Sequence, residues 1–180
     1  MEIINKLKKL LKGGSHADAT WRFLFSLTLV TTICCVFGFF SPFWFIDEVC
    51  SDRGLFYDCC GEQNNVTSCH TAAWFSEGSV TEGLIAVLVL GLLSILGAIG
   101  GSVATIIIFF NGVKFHYLST RSVFFVGFAS GSLMVSSCLL FLQEKGHHSL
   151  GTSFYLCLVS GALQMVPILG FMFSKQQIGF

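Results

Sequence analysis

Charged residues are absent from four long stretches of this sequence: Phe23 to Ile46, Gly83 to Val113, Ser122 to Gln143 and Gly146 to Ser174. Each can cross a hydrocarbon core of about 30 Å, which takes roughly 20 residues of helix. No segment outside these stretches is long enough to build a sizeable core of its own. A soluble enzyme, a nucleic-acid binder and a disordered chain are therefore excluded. The composition points the same way, with 53% hydrophobic residues, 11% charged residues and a mean hydropathy of +0.76. The fold class expected is an all-α membrane protein, a four-transmembrane-helix bundle. Its spans are 20–46, 83–110, 122–142 and 152–174, joined by loops at 47–82, 111–121 and 143–151, with an amino segment 1–19 and a carboxyl tail 175–180.

The formal charge of zero conceals an asymmetry. With both termini in the cytoplasm, the inner side holds Lys6, Lys8, Lys9, Lys12, Arg22, Lys114, Arg121 and Lys175 against Glu2 and Asp18, a net of +6. The outer side holds Arg53 and Lys145 against Asp47, Glu48, Asp52, Asp58, Glu62, Glu77, Glu82 and Glu144, a net of −6. Positive residues in short loops set orientation, which places both termini and the 111–121 loop inside and the 47–82 loop outside. The plasma membrane is the expected location. A cleaved signal peptide is not expected, because Phe23 to Ile46 is too long for an h-region and no small-residue cleavage site follows it.

Of the eight cysteines, Cys50, Cys59, Cys60 and Cys69 crowd into the first outer loop, and Cys34, Cys35, Cys138 and Cys157 lie within spans. Extracytoplasmic thiols meet an oxidising compartment, so the loop group reads as a disulfide framework with three possible connectivities. A zinc site is the competing reading and would need a reduced environment. Asn65-Val66-Thr67 is an acceptor sequence for N-linked glycan in the loop where that modification occurs, with chance occurrence as its competitor. The runs Phe43 to Ile46 and Gly54 to Tyr57 are suited to pair as strands, giving a small extracellular β-sheet clipped by disulfides. The 143–151 loop is short enough to do little beyond connecting spans, which leaves recognition to the first loop.

Nothing ionisable sits in the middle of a span, which disfavours a pump or an ion-coupled transporter. Gly97 with Gly101, and Gly127 with Gly131, each place small residues at i and i+4, where helices approach closely. They serve packing within the bundle or form a partner or self-association face. Pro167 should bend the fourth span, with Gln164 as a candidate to satisfy a lost bond. Ile3, Ile4, Leu7, Leu10 and Leu11 form one helical face opposite four lysines, as in a helix lying on the inner leaflet. The terminal Ile178 and Phe180 are spaced as in some peptides that add a strand to a PDZ domain. Scans for Walker, Rossmann, HExxH and GxSxG patterns find none, and no catalytic residue, metal ligand or cofactor is assigned. His147, His148 and His70 read as exposed bystanders.

Trp44, then Gly54-Leu55-Phe56, then Cys59 and Cys69 resemble the signature of the claudin and peripheral myelin protein superfamily, with Phe56 where a tryptophan is usual. The doubled Cys59-Cys60, the preceding Cys50 and the Ser153-Phe154-Tyr155 opening of the fourth span resemble its calcium-channel gamma, or stargazin-like, AMPA-receptor regulatory branch. The Gly-Leu-Phe triplet and Phe110-Asn111-Gly112-Val113 resemble the clarins. By resemblance to the stargazin-like branch, Cys59 would pair with Cys69 and Cys50 with Cys60. The short second loop departs from claudins and weakens a paracellular role, although the acidic first loop would suit cation selectivity.

Three functions are weighed: an auxiliary or regulatory subunit packed beside a larger membrane channel or receptor, a cell-cell junction or adhesion component, and a pore or transporter. The absence of buried charge disfavours the third, and the short second loop favours the first. Its partners would be that larger protein and membrane lipids, with the Asp47, Glu48, Asp52 and Asp58 carboxylates adding orientation and specificity.

Overall fold

The computed structural model describes residues 16–46, 52–61, 67–72, 81–111, 117–145 and 150–177. Four helices carry most of the chain: α1 (His16–Phe40), α2 (Glu82–Asn111), α3 (Tyr117–Lys145) and α4 (Thr152–Gln177). Between α1 and α2 lies a small antiparallel sheet in the order β1 (Asp52–Arg53), β2 (Tyr57–Gly61), β3 (Thr67–Thr71). Three helices are long and apolar enough to cross a membrane, over Phe23–Phe40, Glu82–Ile107 and Ser122–Glu144, and α4 contributes a shorter apolar stretch, Thr152–Pro167.

The helix ends follow from local chemistry. Helix α1 stops at Phe40 because Pro42 disfavours helical backbone at Ser41 and cannot continue the ladder, so residues 41–46 leave the helix that the apolar pattern alone would extend to Ile46. At the start of α2, Thr81 caps: its hydroxyl accepts the Leu84 amide at 3.2 Å and its carbonyl accepts the Ile85 amide at 3.1 Å. Glu82 adds a favourable negative charge in the first turn. Pro167 lies within α4, which continues to Gln177. Gln164 does not turn back to the freed carbonyl; its side-chain oxygen lies 3.2 Å from the Ser130 Oγ.

Adjacent helices run antiparallel, as the contacts between them record. Gly97 meets Ser130 and Gly101 meets Val126 between α2 and α3; Gly127 meets Gln164 and Gly131 meets Gly161 between α3 and α4. The Thr32 and Ser102 hydroxyls pair at 2.8 Å between α1 and α2, and the Cys157 thiol lies 3.8 Å from the Cys35 carbonyl between α4 and α1. The polarity is inverted relative to a water-soluble bundle. Ser94, Ser102, Ser130, Ser137, Ser160 and Gln164 are buried, while α1 turns Phe23, Val30, Ile33 and Phe37 outward.

Three of the buried hydroxyls are spent on the backbones of neighbouring helices, whereas Ser160 donates to the Cys157 carbonyl of its own helix. Ser94 donates to the Ser130 carbonyl at 2.8 Å and Ser130 to the Ser94 carbonyl at 2.6 Å, a reciprocal clip between α2 and α3. Ser137 donates to the Val87 carbonyl at 2.8 Å nearer the sheet. Small side chains are what permit such approach, and each bond of this kind in hydrocarbon contributes about 0.6 to 2 kcal/mol.

Candidate interaction site at the sheet end of the bundle

Trp44 joins the helices to the sheet. Its side chain is fully buried, and its indole N–H donates to the Gly38 carbonyl at 2.9 Å, with the Phe39 carbonyl at 3.3 Å. These are carbonyls of the last turn of α1, which have no partner inside the helix. The ring packs edge-on against Phe39 of α1, Phe141 of α3 and Phe154 of α4, with centroids 5.1 to 6.1 Å apart. Pairs of this geometry contribute about 0.5 to 1.5 kcal/mol beyond their area. Phe39 in turn packs over Gly91 of α2, where a Cβ would collide with its ring. All four helices thus meet at one aromatic cluster.

The backbone on either side of Trp44 is equally committed. Phe45 bridges to Arg53 on one side and to Leu150 on the other. The first amides at the start of α4 are taken up here, Gly151 donating to the Trp44 carbonyl at 2.7 Å and Ser153 to the Phe43 carbonyl at 2.9 Å. Gly151 is required because a Cβ there would strike the Phe43 carbonyl group. The 143–151 segment, expected only to connect spans, therefore joins the edge of the 47–82 segment through Leu150 and Gly151. Sequence reasoning missed this role and missed Phe39 and Phe141, whose aromatic character alone does not distinguish them among 20 phenylalanines, and it singled out Phe154 only by resemblance and not for this contact.

Gly54-Leu55-Phe56 forms the turn between β1 and β2, so of the strand expected for 54–57 only Tyr57 lies in a strand, with the Gly54 amide donating to the Tyr57 carbonyl at 2.8 Å. A Cβ on Gly54 would lie 2.6 Å from the Pro42 Cα and 2.9 Å from the Ser41 carbonyl, so only glycine lets the turn sit against the end of α1. Leu55 is fully buried in the core, and Phe56 stacks on Phe40 at 5.2 Å. Cys59 and Cys69 are direct cross-strand partners and form a disulfide with Cα atoms 4.1 Å apart. Cys60 lies in β2 opposite Ser68; Cys50, its expected partner, lies outside the described residues, as do Asn65, Asp47 and Glu48.

Asp52 is in β1, opposite Cys59. Asp58 is 5% exposed and is not a surface charge as expected. It sits on the central strand, directly opposite Arg53 in β1 and His70 in β3, so its neighbours there are polar side chains of the two flanking strands. Gly97, Gly101, Gly127 and Gly131 each face another helix of this chain, whereas Gly100, one residue away, has nothing within 4 Å. Among the described residues no group of three or more His, Cys, Asp or Glu is placed to hold a metal ion, and Cys34, Cys35, Cys138 and Cys157 are free thiols. The sequence matches no protein-family model and no curated protein.

Proposed function

We propose that this chain is a non-catalytic, multi-pass membrane protein that acts as an auxiliary subunit of a larger channel or receptor. The observation that carries the reading is the joint at Trp44, which ties the disulfide-bonded sheet, the second outer segment and the ends of α1, α3 and α4 into one unit, with α2 reached through Phe39 over Gly91. A partner gripping the sheet would thereby act on the helices directly. The inverted polarity of the bundle supports its placement in a membrane, with hydroxyls inward and large apolar side chains outward. The charge asymmetry supports a plasma-membrane orientation with both termini inside, and Asn65 then faces the compartment where glycans are added. Superfamily membership rests on Trp44, Gly54-Leu55-Phe56 and the Cys59–Cys69 pair, and the stargazin-like branch fits an auxiliary role.

The test is purification of the tagged full chain from native membranes in mild detergent. Co-purification of a channel or receptor supports the proposal. Self-association into rows without such a partner replaces it with the claudin-like junction reading, and ion conduction by the isolated protein in a planar bilayer replaces it with a pore.

A further inference from the structure

The outward side of α1 carries Phe23, Val30, Ile33, Phe37 and Phe40 at alternating spacings of three and four or their sums, all exposed, with Phe37 at 70%. The apolar stretch Phe23–Phe40 is 18 residues, about 27 Å of helix at 1.5 Å per residue, close to the hydrocarbon thickness of about 30 Å. In the membrane placement proposed above, Phe40, the last residue of this stretch, would lie at the outer boundary of the hydrocarbon. The Gly54–Tyr57 turn is not held above that level. Gly54 lies against Ser41 and Pro42, and Phe56 stacks directly on Phe40 and packs edge-on against Phe39 at 5.6 Å. Tyr57, next in the chain, is 51% exposed. On the neighbouring helix α4, Tyr155 is also exposed and lies in the turn that meets Gly38 of α1, whose missing Cβ would meet Ser153 and Cys157. Two exposed tyrosines thus lie at the sheet end of the bundle, and amphipathic rings of this kind favour a headgroup region.

We infer that the β1–β2 turn is a lipid-docking element: Phe56 and Tyr57 rest in the outer leaflet at the boundary between headgroups and acyl chains, continuing the apolar seam of α1. The occupant is phospholipid, because the surface is continuous with the seam and ends at the depth of its last residue. The inference rests on the membrane placement proposed above. Docking at this depth fixes the sheet at the membrane surface and leaves β3, with exposed His70 and Thr71, to face water.

The experiment uses the full chain reconstituted in phosphatidylcholine nanodiscs that contain a photoactivatable phosphatidylcholine with its diazirine either beside the glycerol or at mid-chain. Labelled residues are mapped by mass spectrometry. The shallow probe is expected to label Phe40, Phe56 and Tyr57, and the mid-chain probe Val30 and Ile33. Labelling of Phe40 without Phe56 or Tyr57 overturns the docking and leaves the membrane placement standing. Failure of both probes to label α1 overturns the placement as well. Tyr57→Asp, at an exposed position that tolerates polarity, should lower Phe56 labelling several-fold with Phe37 labelling unchanged; undiminished Phe56 labelling overturns the inference. Tyr57 that is labelled after reconstitution but protected in native membranes is covered by a protein there, which also overturns it.

Discussion

At the residue scale, Trp44 has two separable parts, a ring that fills the junction and an N–H that satisfies a helix-end carbonyl. Trp44→Phe keeps most of the ring and leaves the Gly38 carbonyl without its 2.9 Å donor, so it should cost about 1–3 kcal/mol. Trp44→Ala also opens a cavity and should cost about 3–5 kcal/mol or prevent folding. Thermal unfolding in detergent reads both, and a Trp44→Phe protein as stable as the parent would remove the capping role. The Cys59–Cys69 bond closes a separation of 10 residues and should contribute roughly 2–3 kcal/mol in the entropic view. Cys59→Ser and Cys69→Ser should lower surface abundance to the same extent, and the double variant should be no worse than either single one, because each removes the same bond. Additive losses would show that the cysteines act separately.

At the element scale, the four helices are legible because each coincides with a charge-free run of about the length a membrane-crossing helix needs. The sheet was legible in existence but not in register. An apolar run such as 54–57 reads as a strand, yet the approach of Gly54 to Pro42 makes it a turn, and nothing local to the run encodes that approach. The burial of Asp58 is likewise set by neighbours on two other strands. Glycine spacing found helix contacts but could not rank them. Gly131 lies against the Gly161 carbonyl, Gly97 has its Cβ position 3.3 Å from the Ser130 Cβ, and Gly100 faces open space. Gly131→Leu should therefore abolish a monodisperse species in size-exclusion chromatography, Gly97→Ala should survive with a few tenths of an ångström of adjustment, and Gly100→Leu should be indistinguishable from the parent alone. If Gly100→Leu folds but no longer co-purifies with a partner, the outward face of α2 is part of the contact. A misfolded Gly100→Leu protein would contradict the packing described.

At the scale of the whole molecule, two independent constraints favour the orientation proposed above. One is charge: the segments joined to the start of α1, the end of α2, the start of α3 and the end of α4 hold +6, and the opposite segments −6. The other is redox chemistry, since the antiparallel helices bring the Cys59–Cys69 bond to the opposite end from the start of α1, and such a bond persists where the compartment is oxidising. Insertion the other way would place that bond in a reducing cytosol and remove about 2–3 kcal/mol from the sheet while also defying the positive-inside bias. Tags at both ends should therefore be labelled only after permeabilisation. Changing Lys6, Lys8, Lys9 and Lys12 together to glutamate should invert a fraction of molecules, because it removes half of the eight inner basic residues and adds as many acidic ones. Inverted molecules should be recognisable by three linked changes: a tag accessible on intact cells, a Cys59–Cys69 pair that is reduced on non-reducing peptide maps, and loss of any glycan carried at Asn65. An accessible tag accompanied by an intact disulfide would separate orientation from redox compartment and break the link.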